Sequence, residues 1–346
     1  MRQLTFIGTG KLEWWDVPAP VIRHKSDAIV RPLAVARCDL DYAMITGSAP
    51  LPGPFAFGHE CAGEVVEIGD GVTHVQPGDK VIVPFQISCG TCDHCHRGWT
   101  NACLSVPRGA VFGMKPLCGE EFGGALSEFM HVPFADHMLV PLPETVRPAV
   151  LAGGSDNIAD AWRTVAPYME QYPDASVLVL GSGRGIGLYA VQIALAKGAR
   201  RVLYAETGAG SNALRIAADM GADTVHVPDP GALKNLGQFN ITVDASGSQA
   251  GLNLVVNSTA PCGTCTSISV FFDNAVPFPM TKMYTKGITF HTSRVQARPL
   301  LPTICNEVTC GQYHPEIVTS REVSFSEAID AMDDPGPKVV FTNDWV

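Results

Sequence analysis

The chain lacks the features that would tie it to a membrane or to a nucleic acid. No uninterrupted apolar run reaches the roughly 20 residues needed to cross a bilayer, so no membrane partner is expected. Basic residues are scarce: 24 Lys and Arg stand against 34 Asp and Glu, a formal charge of −10. No basic stretch is dense enough to follow a phosphate backbone, and nucleic acid is not expected as a partner either. Residues Met1 to Val17 interleave Arg2, Lys11, Glu13 and Asp16 with apolar side chains and show no small-residue cleavage site, so a leader peptide is not expected and a cytoplasmic location is. An even, densely spaced cysteine framework is missing as well. Eleven cysteines in 346 residues is an odd count in a chain far longer than disulfide-stapled scaffolds, which points to metal binding or free thiols.

What is present suits a globular protein of two domains. The chain is 46% hydrophobic and 17% charged, enough to bury a sizeable core. Up to about Val150 it is rich in Gly and Pro, with short β-branched runs at Ala28–Arg31, Gly63–Ile68 and Lys80–Val83 bracketed by turn signals, the pattern of a mostly β domain. After Pro173 the pattern changes. Ser176–Leu180 reads as a buried strand, Gly185–Ala196 as a helix stopped by Gly198, and Arg201–Ala205 as a second strand. A second helix is expected from about Ser211 to Met220, then strands at Asp223–Val227 and Asn240–Asp244. Strands alternating with helices predict a parallel sheet with crossover helices. Beyond Phe290 the pattern is mixed, with a capping box at Ser324–Glu327 and a last strand at Lys338–Phe341.

Cys89, Cys92, Cys95 and Cys103 are separated by gaps of two, two and seven residues. Four thiolates this close in sequence can close a tetrahedron around zinc, a site shut to water and therefore structural. Free thiols and an iron–sulfur cluster are the alternatives. In the cluster-binding run of this kind the fourth cysteine follows after three residues and precedes proline, whereas Cys103 follows after seven and precedes Leu104. Elsewhere Cys38 and His59 are candidate ligands for a second metal, with Asp41 and Glu60 able to orient the histidine. Taken alone, such a pair is equally a buried small residue and a satisfied ring.

The run Gly181-Ser182-Gly183-Arg184-Gly185-Ile186-Gly187 follows a strand and opens a helix, the context of a dinucleotide pyrophosphate site. One residue too many separates Gly183 from Gly187 for the strict G-x-G-x-x-G spacing. A longer loop accommodates it and brings Arg184 toward a phosphate; the alternative is a glycine-rich turn with no ligand. Glu206 ends the second strand, where an acidic residue hydrogen-bonds the adenosine ribose and repels a 2′-phosphate, which favours NAD over NADP. Arg294 is a further candidate phosphate contact, though a solvated arginine fits the position equally well.

The order of Cys38, Gly58-His59-Glu60, the four-cysteine cluster and a later glycine-rich βαβ unit resembles the zinc-dependent alcohol dehydrogenases of the medium-chain dehydrogenase/reductase family, over nearly the whole chain. The resemblance implies an α/β protein in which a Rossmann doubly wound parallel sheet is inserted in a β-rich GroES-like catalytic domain. The catalytic domain would take residues 1–150, with the structural zinc lobe at 88–104, and 292–346; the Rossmann domain would take 151–291. It further implies two zinc ions per chain, a small alcohol or carbonyl substrate in the cleft between the domains, and a homodimer or homotetramer. A third ligand comes at the end of the first catalytic segment in this family, and Asp156 is the candidate here, although Asp is also a good N-cap for the helix that follows. Zinc would act as a Lewis acid toward the substrate oxygen while hydride passes to or from nicotinamide. Phe85 falls where the family lines its substrate pocket, and an aromatic there also suits plain core packing.

One position departs from the family pattern. Where a Ser or Thr usually starts the proton relay, this chain has Leu40, which neither donates nor accepts a proton, leaving water or a group such as Tyr42, Thr46 or Ser48. The departure motivates an alternative, hydride reduction of a conjugated C=C or C=N bond, and a third, a non-catalytic nucleotide-binding relative.

Overall fold

The β-branched runs of the amino-terminal part become the strands of an antiparallel sheet, as half-buried alternating segments between turns should. In a computed structural model that describes residues 1–49, 51–208, 212–273 and 275–345, the chain separates into two compact units. The first comprises Met1–Ala159, Val295–Asp334 and Lys338–Val346, the second Asp160–Arg294 and Pro335–Pro337. Ahead of Asp160, the turn Ala152–Ser155 is wholly buried, and the Ser155 hydroxyl accepts the Cys61 N–H at 3.0 Å.

In the first unit, Ala28–Ala36 and Glu60–Ile68 pair antiparallel with Ala36 opposite Glu60. Lys80–Val83 extends the sheet on the far side of Glu60–Ile68. The last strand, Lys338–Thr342, lies antiparallel to Ala28–Ala36 with Val340 opposite Ala36, and Thr319–Ser324 runs parallel beside it. A three-stranded sheet of Lys11–Asp16, Arg2–Gly8 and Phe55–Ala56 adds a hairpin that turns at Thr9-Gly10, where Gly10 has a φ of +70°. The capping box at Ser324 is formed and opens the short helical stretch from Phe325.

The second unit is a six-stranded parallel sheet. Its strands are β1 (Ser176–Gly181), β2 (Arg201–Glu206), β3 (Asp223–His226), β4 (Phe239–Asp244), β5 (Thr259–Ser267) and β6 (Thr289–Thr292), in the order β3-β2-β1-β4-β5-β6. This is the doubly wound order, with the direction of winding reversing between β1 and β4. Helix α1 (Gly185–Ala196) matches its expected bounds, as its buried Leu188, Val191 and Ile193 predict. Helix α2 is observed over Ala213–Met220, and its expected start at Ser211 lies outside the described residues. Strand β5 had no expectation because Thr-Ala-Pro-Cys-Gly-Thr-Cys-Thr-Ser is polar. Apart from Ala260, Pro261 and Cys262 it is buried nonetheless, and some of its hydroxyls find partners there, as Thr259 does with Thr242 at 2.8 Å and Ser267 with Asp244 at 2.7 Å. Among the described residues, no helix is long and apolar enough to cross a membrane.

Candidate active site and metal centres

The strand register of the first unit builds its polar centre. Because Ala36 faces Glu60, Cys38 just past one strand and His59 just before the other come together. Cys38 caps the helix Asp39–Thr46, and Asp41 completes a capping box by accepting the Cys38 N–H at 3.0 Å. The other Asp41 oxygen lies 3.5 Å from His59 Nδ1, beside the ring but not hydrogen-bonded to it. Asp156 follows the buried turn Ala152–Ser155. Its Oδ2 lies 3.2 Å from Cys38 Sγ and 3.4 Å from His59 Nε2, turned toward these side chains. Cys38, His59 and Asp156 are all buried, and their donor atoms lie within 4.8 Å of one another. Phe85 is buried with its ring centroid 5.6 Å from that of His59, and Leu40 is half-buried with its N–H directed at Cys38 Sγ.

These donors fit a divalent cation. Both ring nitrogens of His59 are buried without a hydrogen-bond partner. Burial alone disfavours an imidazolium, yet the Asp41 and Asp156 carboxylates outweigh it and raise the His59 pKa to about 9, so the protein's own charges favour a positive charge at this point. Burial, reinforced by the Asp156, Glu60 and Asp41 carboxylates, raises the Cys38 thiol well above its usual range; a thiolate here needs a cation beside it. One sulfur, one imidazole nitrogen and one carboxylate, with no fourth ligand among the described residues, make a zinc donor set with an open position.

The four-cysteine lobe fits a closed zinc site. Cys89 and Cys95 sulfurs are 4.0 Å apart and those of Cys92 and Cys103 are 3.9 Å apart. A tetrahedron with bonds of about 2.3 Å has edges of about 3.8 Å. Backbone N–H groups of Thr91, Leu104 and Ser105 each point at one of these sulfurs at 3.4 Å, as they do toward thiolates. All eleven cysteines are free of disulfides.

In the second unit the glycine loop connects β1 to α1. Gly183 has a φ of +78°, which only glycine adopts without strain. At Gly181 an added Cβ would lie 2.4 Å from the Tyr204 hydroxyl, whose ring crosses the loop. Glu206 pairs in register with Gly181, which places its carboxylate beside the loop. Both its oxygens have partners from its own neighbourhood, the Tyr204 hydroxyl at 2.5 Å and the Gly208 N–H at 2.6 Å. Arg184 caps α1 and donates to the Pro335 carbonyl at 3.1 Å, while the Ser182 hydroxyl donates to Ala245 O at 3.2 Å. Gly185, Ile186 and Gly187 form the buried first turn of α1. Arg294 is exposed at the end of the unit.

Comparison with known proteins agrees with this geometry. A family model described as the alcohol dehydrogenase GroES-like domain matches residues 24–144, and one described as zinc-binding dehydrogenase matches residues 185–308. The medium chain reductase/dehydrogenase ucsI of Acremonium sp is 30% identical over 298 residues, which cover 82% of this chain and 98% of that one. The chain belongs to the zinc-dependent alcohol dehydrogenases of the medium-chain dehydrogenase/reductase family. Zinc-type alcohol dehydrogenase B of Aspergillus flavus is 25% identical over 348 residues, covering 96% of this dehydrogenase and 78% of its own length. Alcohol dehydrogenase TADH from Thermus sp. ATN1 superposes with a TM-score of 0.89 at 27% identity, over 99% of this chain and 100% of that one. The fold is accordingly a GroES-like domain with a Rossmann domain, and the activity is that of a zinc-dependent alcohol oxidoreductase; neither the reductase nor the non-catalytic alternative is favoured.

Two residues of this alcohol dehydrogenase escaped sequence reasoning. Lys338 is fully buried, and its ammonium donates to Glu60 Oε2, to Arg37 O at 2.8 Å and to Asn157 Oδ1 at 2.7 Å. Asn157 in turn donates its backbone N–H to Glu60 Oε1 at 2.9 Å. Glu60 therefore faces a lysine and a helix-opening amide. Burial raises its pKa, and the Lys338 charge opposes that rise. Sequence gave no signal for Lys338, since a lysine opening a strand ordinarily points to water.

Proposed function

We propose that this dehydrogenase carries two zinc ions per chain, one on Cys38, His59 and Asp156 and one on Cys89, Cys92, Cys95 and Cys103. With NAD it interconverts a primary or secondary alcohol with its aldehyde or ketone. The observation that carries this reading is the buried Cys38, His59 and Asp156 trio, with donor atoms within 4.8 Å of one another. Cys38, His59 and Asp156 would hold the zinc, which would supply Lewis acidity toward the alcohol or carbonyl oxygen, while bound nicotinamide would supply the hydride acceptor or donor. The residues do the rest. Asp41 holds the Cys38 backbone and puts a negative charge beside the His59 ring. Phe85 gives the substrate an apolar wall beside that ring, and Leu40, two residues after Cys38, adds no polar group to it. Leu40 cannot relay the alcohol's proton, and the Thr46 hydroxyl already donates to the Tyr42 carbonyl at 2.8 Å, so the proton leaves to water or through Tyr42 or Ser48.

Glu206 supports NAD, because a carboxylate fixed beside the glycine loop repels a 2′-phosphate. Arg200 and Arg201, which are the cations nearest in sequence, flank the opposite end of β2, roughly 16 Å away at about 3.3 Å per residue. Exposed Val270, Phe272, Met280 and Tyr284 on the second unit support a homodimer or homotetramer.

The test is zinc content of the purified protein and of Cys38→Ser, with NADH formation across a panel of alcohols. Two zinc ions falling to one, with alcohol-dependent NADH lost, is the expected result. Equal zinc in both proteins, or no alcohol turned over, overturns the reading.

A further inference from the structure

Asn157 stands where three charged groups of the buried centre meet, and the way its amide faces is decided by chemistry. Its Oδ1 lies 2.7 Å from Lys338 Nζ. An ammonium has only hydrogens to offer, so the amide oxygen must face it and the NH2 must face the other way. There Nδ2 lies 3.2 Å from Cys38 Sγ and 3.2 Å from Asp156 Oδ2. The two hydrogens of one amide thus serve the sulfur and the carboxylate together. Lys338 is itself immobile, held by Glu60 and the Arg37 carbonyl in the interior. The backbone N–H of Asn157 is also bound to Glu60, so main chain and side chain of this residue are both fixed.

We propose that Asn157 is a positioning residue for the metal centre: oriented by Lys338, it donates one N–H to Cys38 and one to Asp156, holding these two anionic ligands at ligand spacing and drawing charge off both. The inference rests on the reading that Cys38, His59 and Asp156 bind the catalytic metal. An N–H on a coordinated sulfur weakens its donation to the metal and leaves the metal a stronger Lewis acid, the ordinary way that partners of ligands tune a site. Leu40 N–H, 3.4 Å from the same sulfur, acts in the same sense but comes from the backbone and is not set by any side chain. Asn157 is the adjustable part of the pair.

The experiment replaces zinc by cobalt(II) and records the near-ultraviolet sulfur-to-metal charge-transfer band, taking the difference between the parent protein and Cys38→Ser to isolate the Cys38 sulfur. In Asn157→Leu, which keeps the shape and removes the donors, the band moves to lower energy, and the Cys38-dependent metal is lost to a chelator about 10- to 100-fold faster. Lys338→Met, which frees the amide to turn, gives changes of the same sign. Metal retained by the four cysteines reports folding in every variant; should Asn157→Leu fail that check, Asn157→Asp, of the same shape but without the NH2, decides in its place. No Cys38-dependent band in the parent protein would defeat the metal-binding reading itself. A band present but unmoved in the folded Asn157 variant, with unchanged metal loss, would defeat the role of Asn157 alone.

Discussion

Lys338 and Glu60 stand 278 positions apart in the chain and form an ion pair with both side chains at 0% exposure. Removing one member strands the other charge in the interior, at a cost of about 3–5 kcal/mol. Lys338→Met is therefore expected to lower unfolding stability by that order, and adding Glu60→Gln should restore much of it. Urea unfolding of the single and double variants measures this. A double variant no more stable than the single would show that the lysine's bonds to Arg37 O and Asn157, and not its charge pairing, stabilise the centre.

On the proposed reading, Glu206 sets the preference for NAD over NADP. Replacing it by Ala removes the charge opposed to a 2′-phosphate together with an acceptor for ribose hydroxyls. A hydrogen bond to a charged group is worth about 1.5–3 kcal/mol, so NAD should bind on the order of 10- to 100-fold more weakly. Parallel titrations with NAD and NADP check this, and a parent protein that binds NADP more tightly would refute the assignment.

Gly181 has no room for a side chain. An added Cβ would sit 2.4 Å from the Tyr204 hydroxyl and 2.7 Å from its ring, so Gly181→Ala must displace the ring and with it the hydrogen bond to Glu206. A stability loss of about 1–3 kcal/mol and weaker nucleotide binding are expected. Tyr204→Phe in the same protein removes the nearer clash only, and should recover part of the stability. Thermal unfolding with and without NAD separates the two effects.

Asp136 adds a pH dependence away from either metal centre. Burial works to raise its pKa, but the N–H groups of His74 and Thr73 and the Thr73 hydroxyl outweigh that and hold it below the ordinary 3.8. With the folded pKa lowered, the stabilisation is complete above the unfolded value near 3.8 and disappears as pH falls through the folded value. The stability gap between the parent protein and Asp136→Asn should hence be constant at neutral pH and shrink below about pH 4. A gap unchanged at low pH would show that packing, and not the carboxylate charge, is what the substitution removes.

Cys92→Ser should remove the zinc of the lobe while leaving the metal on Cys38, His59 and Asp156. Structural zinc contributes to folding directly, so the variant should lose one zinc per chain and unfold at lower temperature. Metal analysis beside calorimetry checks it; an unchanged zinc content would mean that the four sulfurs do not share an ion.

The parts of this protein legible from sequence were those whose geometry is local. Four cysteines within fifteen positions need only a short loop to meet, and a strand running into glycines and then a helix makes its turn from neighbouring residues, so the four-cysteine lobe and the glycine loop could be placed from spacing. The alternation of strand and helix likewise predicted the parallel sheet, while polar β5 stayed hidden because its hydroxyls are satisfied only by packing partners.

By itself the sequence determined the chemical inventory and the local turns. Tertiary structure decided what faces what. The register that sets Ala36 against Glu60 brings Cys38 to His59, and the return of the last strand against Ala36 brings Lys338 to Glu60 and Asn157. Whether Asp156 caps a helix or faces a sulfur is likewise a matter of how a buried turn packs on a strand ninety-odd residues earlier. Such pairings depend on long-range strand register and burial, which no window of sequence contains.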